Sequence, residues 1–257
     1  MLLAIDVGNT NIVLGLFDGA EIQHSWRIKT DSRMTADELA LAFQGLLAQH
    51  PAKVTGVALC STVPAVLHEM RTMLSRYFGD VQHVVVEPGT KTGVSIQTDN
   101  PKEVGADRIV NTLAAFELYG GPAIVVDFGT STNLDVVSAS GEFLGGALAP
   151  GIEISLDALA SRAAQLRKVE IVKPRAVIGR NTVEALQSGA VYGFAGQVDG
   201  LVERIKEELG APDAIVIATG GLAEVVIEAS RTITHHEPNL TLYGLQMVFV
   251  KNQLPNQ

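Results

Sequence analysis

The sequence predicts an α/β protein built from two similar lobes with a cleft between them, and three observations lead there. The chain opens as strand, turn, strand: an apolar run stops at Asp6, Asp6-Val7-Gly8-Asn9-Thr10 turns, and a second apolar run begins at Asn11. The device then recurs, with Val125-Val126-Asp127-Phe128-Gly129-Thr130-Ser131 matching Ala4-Ile5-Asp6-Val7-Gly8-Asn9-Thr10. Finally, a late apolar run leads into Thr219-Gly220-Gly221. One Asp-x-Gly is an ordinary turn. Two copies, each opening a strand–strand–helix series, favour an internal duplication over chance.

The elements follow from periodicity. Residues 2–6 read as a buried strand, 11–17 as a second, and Asp18-Gly19 as a hairpin turn into a third over 21–29. Thr35 to Gln49 reads as an amphipathic helix, with Leu39, Phe43, Leu46 and Leu47 at helical spacing. Thr35 and Glu38 fit a capping box at its start. Val54 to Leu59 is an expected strand, Pro64 to Phe78 a helix, His83 to Val86 a strand, and Asn100 to Tyr119 contains a helix. In the second half, strands are expected over Ala123 to Val126 and Thr132 to Ser138, with a turn before Glu142. A strand–loop–helix passage follows through Gly151 to Ala164. A long helix over Thr182 to Leu209, a strand over Ala214 to Ala218 and a helix over Leu222 to Ser230 complete the reading. The lobes are expected as residues 1–118 and 119–257.

Composition bounds the function. A chain of 257 residues, 47% of them hydrophobic, can bury a sizeable core. The formal net charge of -9 argues against nucleic acid or an anionic membrane as the main partner, since both need basic patches. The single cysteine, Cys60, cannot form an internal disulfide, which fits a reducing compartment; in its apolar run it reads as a core residue rather than a reactive thiol. The opening apolar run is too short for a signal peptide or a membrane span, so a cytoplasmic protein is expected. The six histidines form no metal-ligand spacing.

The motifs suit phosphate chemistry. In each Asp-x-Gly turn the glycine lets a phosphate approach the backbone, and small polar side chains such as Asn9, Thr10 and Thr130 can donate to its oxygens. Asp6 stands where a carboxylate can hold Mg²⁺ through water. Phosphoryl transfer needs chiefly positioning and charge neutralisation, which two such turns supply. No P-loop and no Gly-x-Gly-x-x-Gly fingerprint is present. In the segment Asp99 to Arg108, Asp107 could take a proton from a hydroxyl and Arg108 could hold a carboxylate. On residue types alone, an acid favoured by the helix macrodipole beside a solvated arginine is the stronger reading.

Taken in order, Asp6-Val7-Gly8-Asn9-Thr10, Asp99-Asn100-Pro101, Gly105-Ala106-Asp107-Arg108, Asp127-Phe128-Gly129-Thr130, Gly145-Gly146 through Pro150-Gly151, Asn181-Thr182 and Ala218-Thr219-Gly220-Gly221 resemble the type III pantothenate kinases. These belong to the superfamily of acetate and sugar kinases, heat-shock chaperone ATPases and actin. The resemblance implies a duplicated actin-like, ribonuclease H-like fold and ATP-dependent phosphorylation of pantothenate, the first step toward coenzyme A. It implies Asp107 as general base, and Gly105, Ala106, Asp107, Arg108 and Thr182 as pantothenate contacts, Thr182 from a neighbouring subunit region. Asp6, Val7, Gly8, Asn9, Thr10, Asn11, Ile12 and Val13 would cradle the ATP phosphates, and Thr130 would touch ATP. Asp127 would bind a monovalent cation, K⁺ or NH₄⁺, with Mg²⁺ at Asp6. A homodimer is also implied. The glycines of the long helix, Gly189, Gly193, Gly196 and Gly200, suit close packing against a partner helix or, equally, internal packing.

Three positions depart from the family pattern. Thr98 stands where a tyrosine is common, removing an aromatic wall, and Ser131 and Asn133 replace alanine and threonine after the second turn. The alternatives to the kinase are a nucleotide-binding regulator without catalysis and a kinase for a sugar or short acid. The presence of both Asp107 and Arg108 favours catalysis on pantothenate.

Overall fold

The structure, a computed structural model, describes residues 1–50, 53–162 and 169–253. The expected ends at Ala164 and at residue 257 lie outside them. The chain divides into two compact units. One comprises Met1–Val94, Asn100–Ala114 and Leu240–Gln257; the other comprises Ser95–Asp99 and Ala115–Asn239.

In the first unit, β1 (Leu2–Val7), β2 (Asn11–Asp18) and β3 (Glu21–Lys29) form the expected antiparallel meander. Two further strands, β4 (Gly56–Ser61) and β5 (Gln82–Val85), add in parallel, giving the order β3-β2-β1-β4-β5. The strand period of two assigns the faces. Leu3, Ile5 and Val7 point into a core beneath α1 (Ala36–Leu47) and α2 (Pro64–Tyr77). The capping box at Thr35 and Glu38 is formed. Leu2 and Ala4 point the other way, into a core shared with Val110 and Leu113 of α3 (Ala106–Tyr119). Leu242, Leu245, Val248 and Phe249 complete that core from the last helix, whose label in chain order is α7 (Leu240–Lys251).

The second unit repeats the plan. Strands β6 (Ala123–Phe128), β7 (Ser131–Val137) and β8 (Phe143–Pro150) run antiparallel, and β9 (Ile215–Thr219) and β10 (His235–His236) add in parallel beside β6. Read from β8, the order β8-β7-β6-β9-β10 reproduces that of the first sheet strand for strand. Ile124, Val126, Phe128 and Leu134 face a core under α4 (Ile152–Arg162), α5 (Thr182–Leu209) and α6 (Ala223–Ile227).

Two readings need correction. The strand–loop–helix passage has almost no loop: β8 leads into α4 with Gly151 alone between them. The Gly-Gly pair belongs there because a Cβ on Gly146 would sit 1.8 Å from the Leu134 carbonyl oxygen, and Pro150 is tolerated because β8 is an edge strand. The helix expected over Leu222 to Ser230 has only five residues. Helix α7 was not anticipated at all.

Candidate active site

Asp6 belongs to the face of the first sheet that bears α3 and α7, because it continues the alternation of Leu2 and Ala4. It lies in register with Cys60 on β4, and the thiol donates to Asp6 Oδ1 at 3.2 Å. Burial, together with the nearby Asp107 charge, pushes the Asp6 carboxyl up to about 7, against smaller opposing effects of the Cys60 hydrogen bond and Arg27. The same surroundings and its own burial push the Cys60 thiol far up, so it remains a donor. The expectation that Cys60 is buried holds, but the thiol also touches the site.

Beyond Asp6, Gly8 N–H donates to the Asn11 carbonyl at 3.0 Å, closing the turn that exposes Asn9 and Thr10. Val7 and Ile12 have buried side chains and can offer a ligand only backbone groups; Asn11 and Val13 are half-buried. Thr30, which the sequence reading passed over, braces the turn twice. Its N–H donates to the Thr10 carbonyl at 2.9 Å, and its hydroxyl to the Gly8 carbonyl at 2.7 Å.

Asp107 sits in the first turn of α3, directly after Gly105, whose carbonyl accepts from Ile109 N–H at 3.2 Å. The carboxylate folds back over Gly105, where a Cβ would meet Asp107 Oδ1 at 2.5 Å, and it accepts from the Arg108 N–H at 2.9 Å. Burial raises its pKa against these hydrogen bonds and the Arg108 charge. Gly105, Ala106, Asp107 and Arg108 thus share one helical turn in the unit that holds residues 6–13. Asn111, one turn on, is buried and accepts from the Thr241 hydroxyl of α7 at 2.8 Å.

In the second unit Asp127 occupies the position on β6 that Asp6 occupies on β1. Gly129 N–H donates to the Ser131 carbonyl at 3.0 Å. The exposed Thr130 carries a carbonyl that accepts from Gly151 N–H at 3.1 Å, the counterpart of the Thr30–Thr10 bond. Gly220, at φ +91, passes so close that a Cβ would lie 2.4 Å from Asp127 Oδ1; no other residue fits there. Asn133 stands opposite Asp127 and Thr219 beside it. Thr182 is the first residue of α5, exposed, behind an Asn181 cap whose Oδ1 accepts from Glu184 N–H at 2.9 Å. Thr98 lies against β8, its methyl 3.8 Å from where a Cβ on Gly145 would be.

Both carboxylate sites offer oxygen ligands, the choice of hard cations. Among the described residues no three His, Cys, Asp or Glu gather into a metal cluster. That fits Mg²⁺, which is commonly held by one or two carboxylates with water and phosphate completing its shell. Around Asp6, negative charge already crowds the carboxyl, a condition that a bound cation relieves. At Asp127 the Gly220 backbone lies close against Oδ1, with no side chain of its own to cover it.

The duplicated sheet with an Asp-x-Gly turn at the end of each first strand defines an actin-like α/β fold. Solved structures of the same fold include the ethanolamine utilization protein EutJ from Carboxydothermus hydrogenoformans (TM-score 0.58, 15% identity, 96% of this chain and 89% of that one). A ROK hexokinase from Thermus thermophilus is another (TM-score 0.55, 15% identity, 98% and 99%). The family model for type III pantothenate kinase matches residues 2–204, and the chain belongs to that family of kinases. It is 68% identical over 252 residues to the type III pantothenate kinase of Salinispora arenicola (strain CNS-205), covering 98% of this chain and 100% of that one. It is 62% identical over 261 residues to that of Streptomyces griseus subsp. griseus, covering 98% of both.

Proposed function

We propose that this chain transfers the γ-phosphoryl group of ATP to the terminal hydroxyl of pantothenate, giving 4′-phosphopantothenate and ADP, the first step of coenzyme A synthesis. The observation that carries the reading is the placing of Asp107 on the face of the first unit that bears Asp6, close enough for its charge to perturb the Asp6 carboxyl. In this reading the Asp107 carboxylate takes the hydroxyl proton as the oxygen attacks the γ-phosphorus, one P–O bond forming while the bond to the β-phosphate oxygen breaks. Its raised pKa makes it a better base than an exposed aspartate. Arg108 holds the pantothenate carboxylate, with Gly105 and Ala106 lining the substrate and Thr182 reaching it from the neighbouring subunit.

The turn from Asp6 to Val13 presents its N–H groups, Asn9 and Thr10 to the ATP phosphates, and Thr130 contacts ATP from the second turn. Asp6 would hold Mg²⁺, which neutralises phosphate charge when bound, and Asp127 would hold K⁺ or NH₄⁺. A homodimer in the cytoplasm completes the reading. The open glycine face of α5 supports the dimer: at Gly189, Gly193 and Gly196 a Cβ would meet nothing within 4 Å among the described residues, so those glycines do not serve packing against them. No helix among the described residues is long and apolar enough to cross a membrane.

The test is ADP release by the purified protein with and without pantothenate, in K⁺ and in Na⁺ buffers. Turnover that needs pantothenate and K⁺, and that falls by about 10²–10⁴ in a folded Asp107→Asn variant, is the expected result. Pantothenate-independent ATP hydrolysis, or full activity in the variant, would overturn the assignment.

A further inference from the structure

The face of the second sheet that bears Asp127 carries a row of polar side chains where a core would ordinarily be apolar. Asn133 lies directly opposite Asp127 on β7, and Thr219 lies beside Asp127 on β9. Side chains opposite one another across an antiparallel pair stand about 4.5–5.5 Å apart at Cβ. Alternation brings Asp135, two residues beyond Asn133, to the same face. The row is inside the protein: Asn133 is 8% exposed, Thr219 3% and Asp135 0%. The Asn133 side-chain oxygen, Oδ1, is buried, and among the described residues nothing bonds to it. Native interiors leave few such oxygens unmet, and each that is left calls for a water, an ion or a ligand.

The neighbours say which. A carboxylate faces Asn133 across the ladder and another stands next along its own strand, so the groups beside its oxygen are oxygens too. An amide carbonyl and carboxylates are a hard, all-oxygen donor set, with no sulfur or imidazole among them. A neutral carbonyl suits a large, weakly hydrated cation, whose water it can replace. Gly220 packs closely against Asp127 Oδ1 and brings no side chain of its own to it. We propose that Asn133 is a ligand of the monovalent cation, its Oδ1 completing with Asp127 an inner site on the second sheet. This rests on the reading of Asp127 as a cation residue.

Binding can be followed without turnover. The melting temperature of the ligand-free protein is measured in tetramethylammonium chloride as KCl replaces it at constant ionic strength; ligation of the folded state raises it, and the midpoint of the rise reports affinity. The wild type is expected to show a saturating K⁺ response. Asn133→Leu, similar in size but without oxygen, should need at least tenfold more K⁺ for half the response. Its melting temperature without K⁺ should be no lower than that of the wild type, since the buried oxygen is gone. Asp127→Asn should lose the response. A leucine variant that keeps the wild-type midpoint while Asp127→Asn loses it overturns the role of Asn133 and leaves that of Asp127. A response preserved in both variants, or absent from the wild type, removes both. Asn133→Ala is judged by the same midpoint should the leucine variant not fold.

Discussion

At the scale of single residues, Asp6 is held where its charge is unwelcome, and this has a sign that can be tested. An unfolded aspartate titrates near 3.9. The folded one is pushed up to about 7, first by burial and then by Asp107. Between those values the folded metal-free protein holds a proton that the unfolded chain releases, so stability falls as pH rises from about 4 to about 7. The loss should be on the order of 2–4 kcal/mol, with Asp107 adding in the same direction. Urea unfolding of the metal-free protein across this range should show the slope, and Asp6→Asn should flatten most of it. An equal slope in the variant would place the proton elsewhere. The Cys60 thiol, the partner of Asp6 Oδ1, illustrates what a sequence hides: the two residues are 54 apart in the chain and meet only because β1 and β4 pair in that register.

At the scale of elements, much was legible. The capping box at Thr35 and the apolar spacing of α5 announced helices, and α5 spans Thr182–Leu209 as its periodicity predicts. The two Asp-x-Gly turns were visible because local rules write them: an apolar run, an acid, a glycine. Helix α7 was not, for the opposite reason. Leu240, Leu242, Leu245, Val248 and Phe249 are all buried, and Gly244 is as well, so the helix has little polar face from which a period could be read. The braces from Thr30 and Gly151 were invisible too, since each joins a turn to the end of a third strand. Where α7 crosses α3, Gly244 lies against Val110; a Cβ there would come within 2.2 Å of the Val110 carbonyl oxygen. Gly244→Ala should therefore force the helices apart, at a cost of about 1–3 kcal/mol. Because α3 carries Asp107, kcat should fall more than this loss of folded protein explains. Denaturation midpoints and kinetics on the same preparation check both; an unchanged midpoint would contradict the packing described.

At the scale of the whole molecule, the repeated strand order is what two similar halves of sequence foretold, down to matching hydrogen bonds at Thr10 and Thr130. What the sequence left open was the purpose of the glycines on α5, three of which no described residue covers. If that face is the dimer seam, Gly193→Leu should shift the protein from dimer to monomer in sedimentation at micromolar concentration while the monomer stays folded. A leucine variant that sediments as the wild type does would put the seam elsewhere.

The placing of α7 also bears on how the molecule comes into being. The first unit takes its strands from the start of the chain and its covering helix from residues 240–251, with most of the second unit synthesised in between. On a ribosome making about 5–20 residues per second, the apolar side of the first sheet waits on the order of ten seconds for its cover. The second unit, nearly all of it one continuous stretch, has every residue it needs before then. The half that emerges first is thus the half finished last, and through that interval the part of its sheet that α3 does not cover is the surface a chaperone would guard.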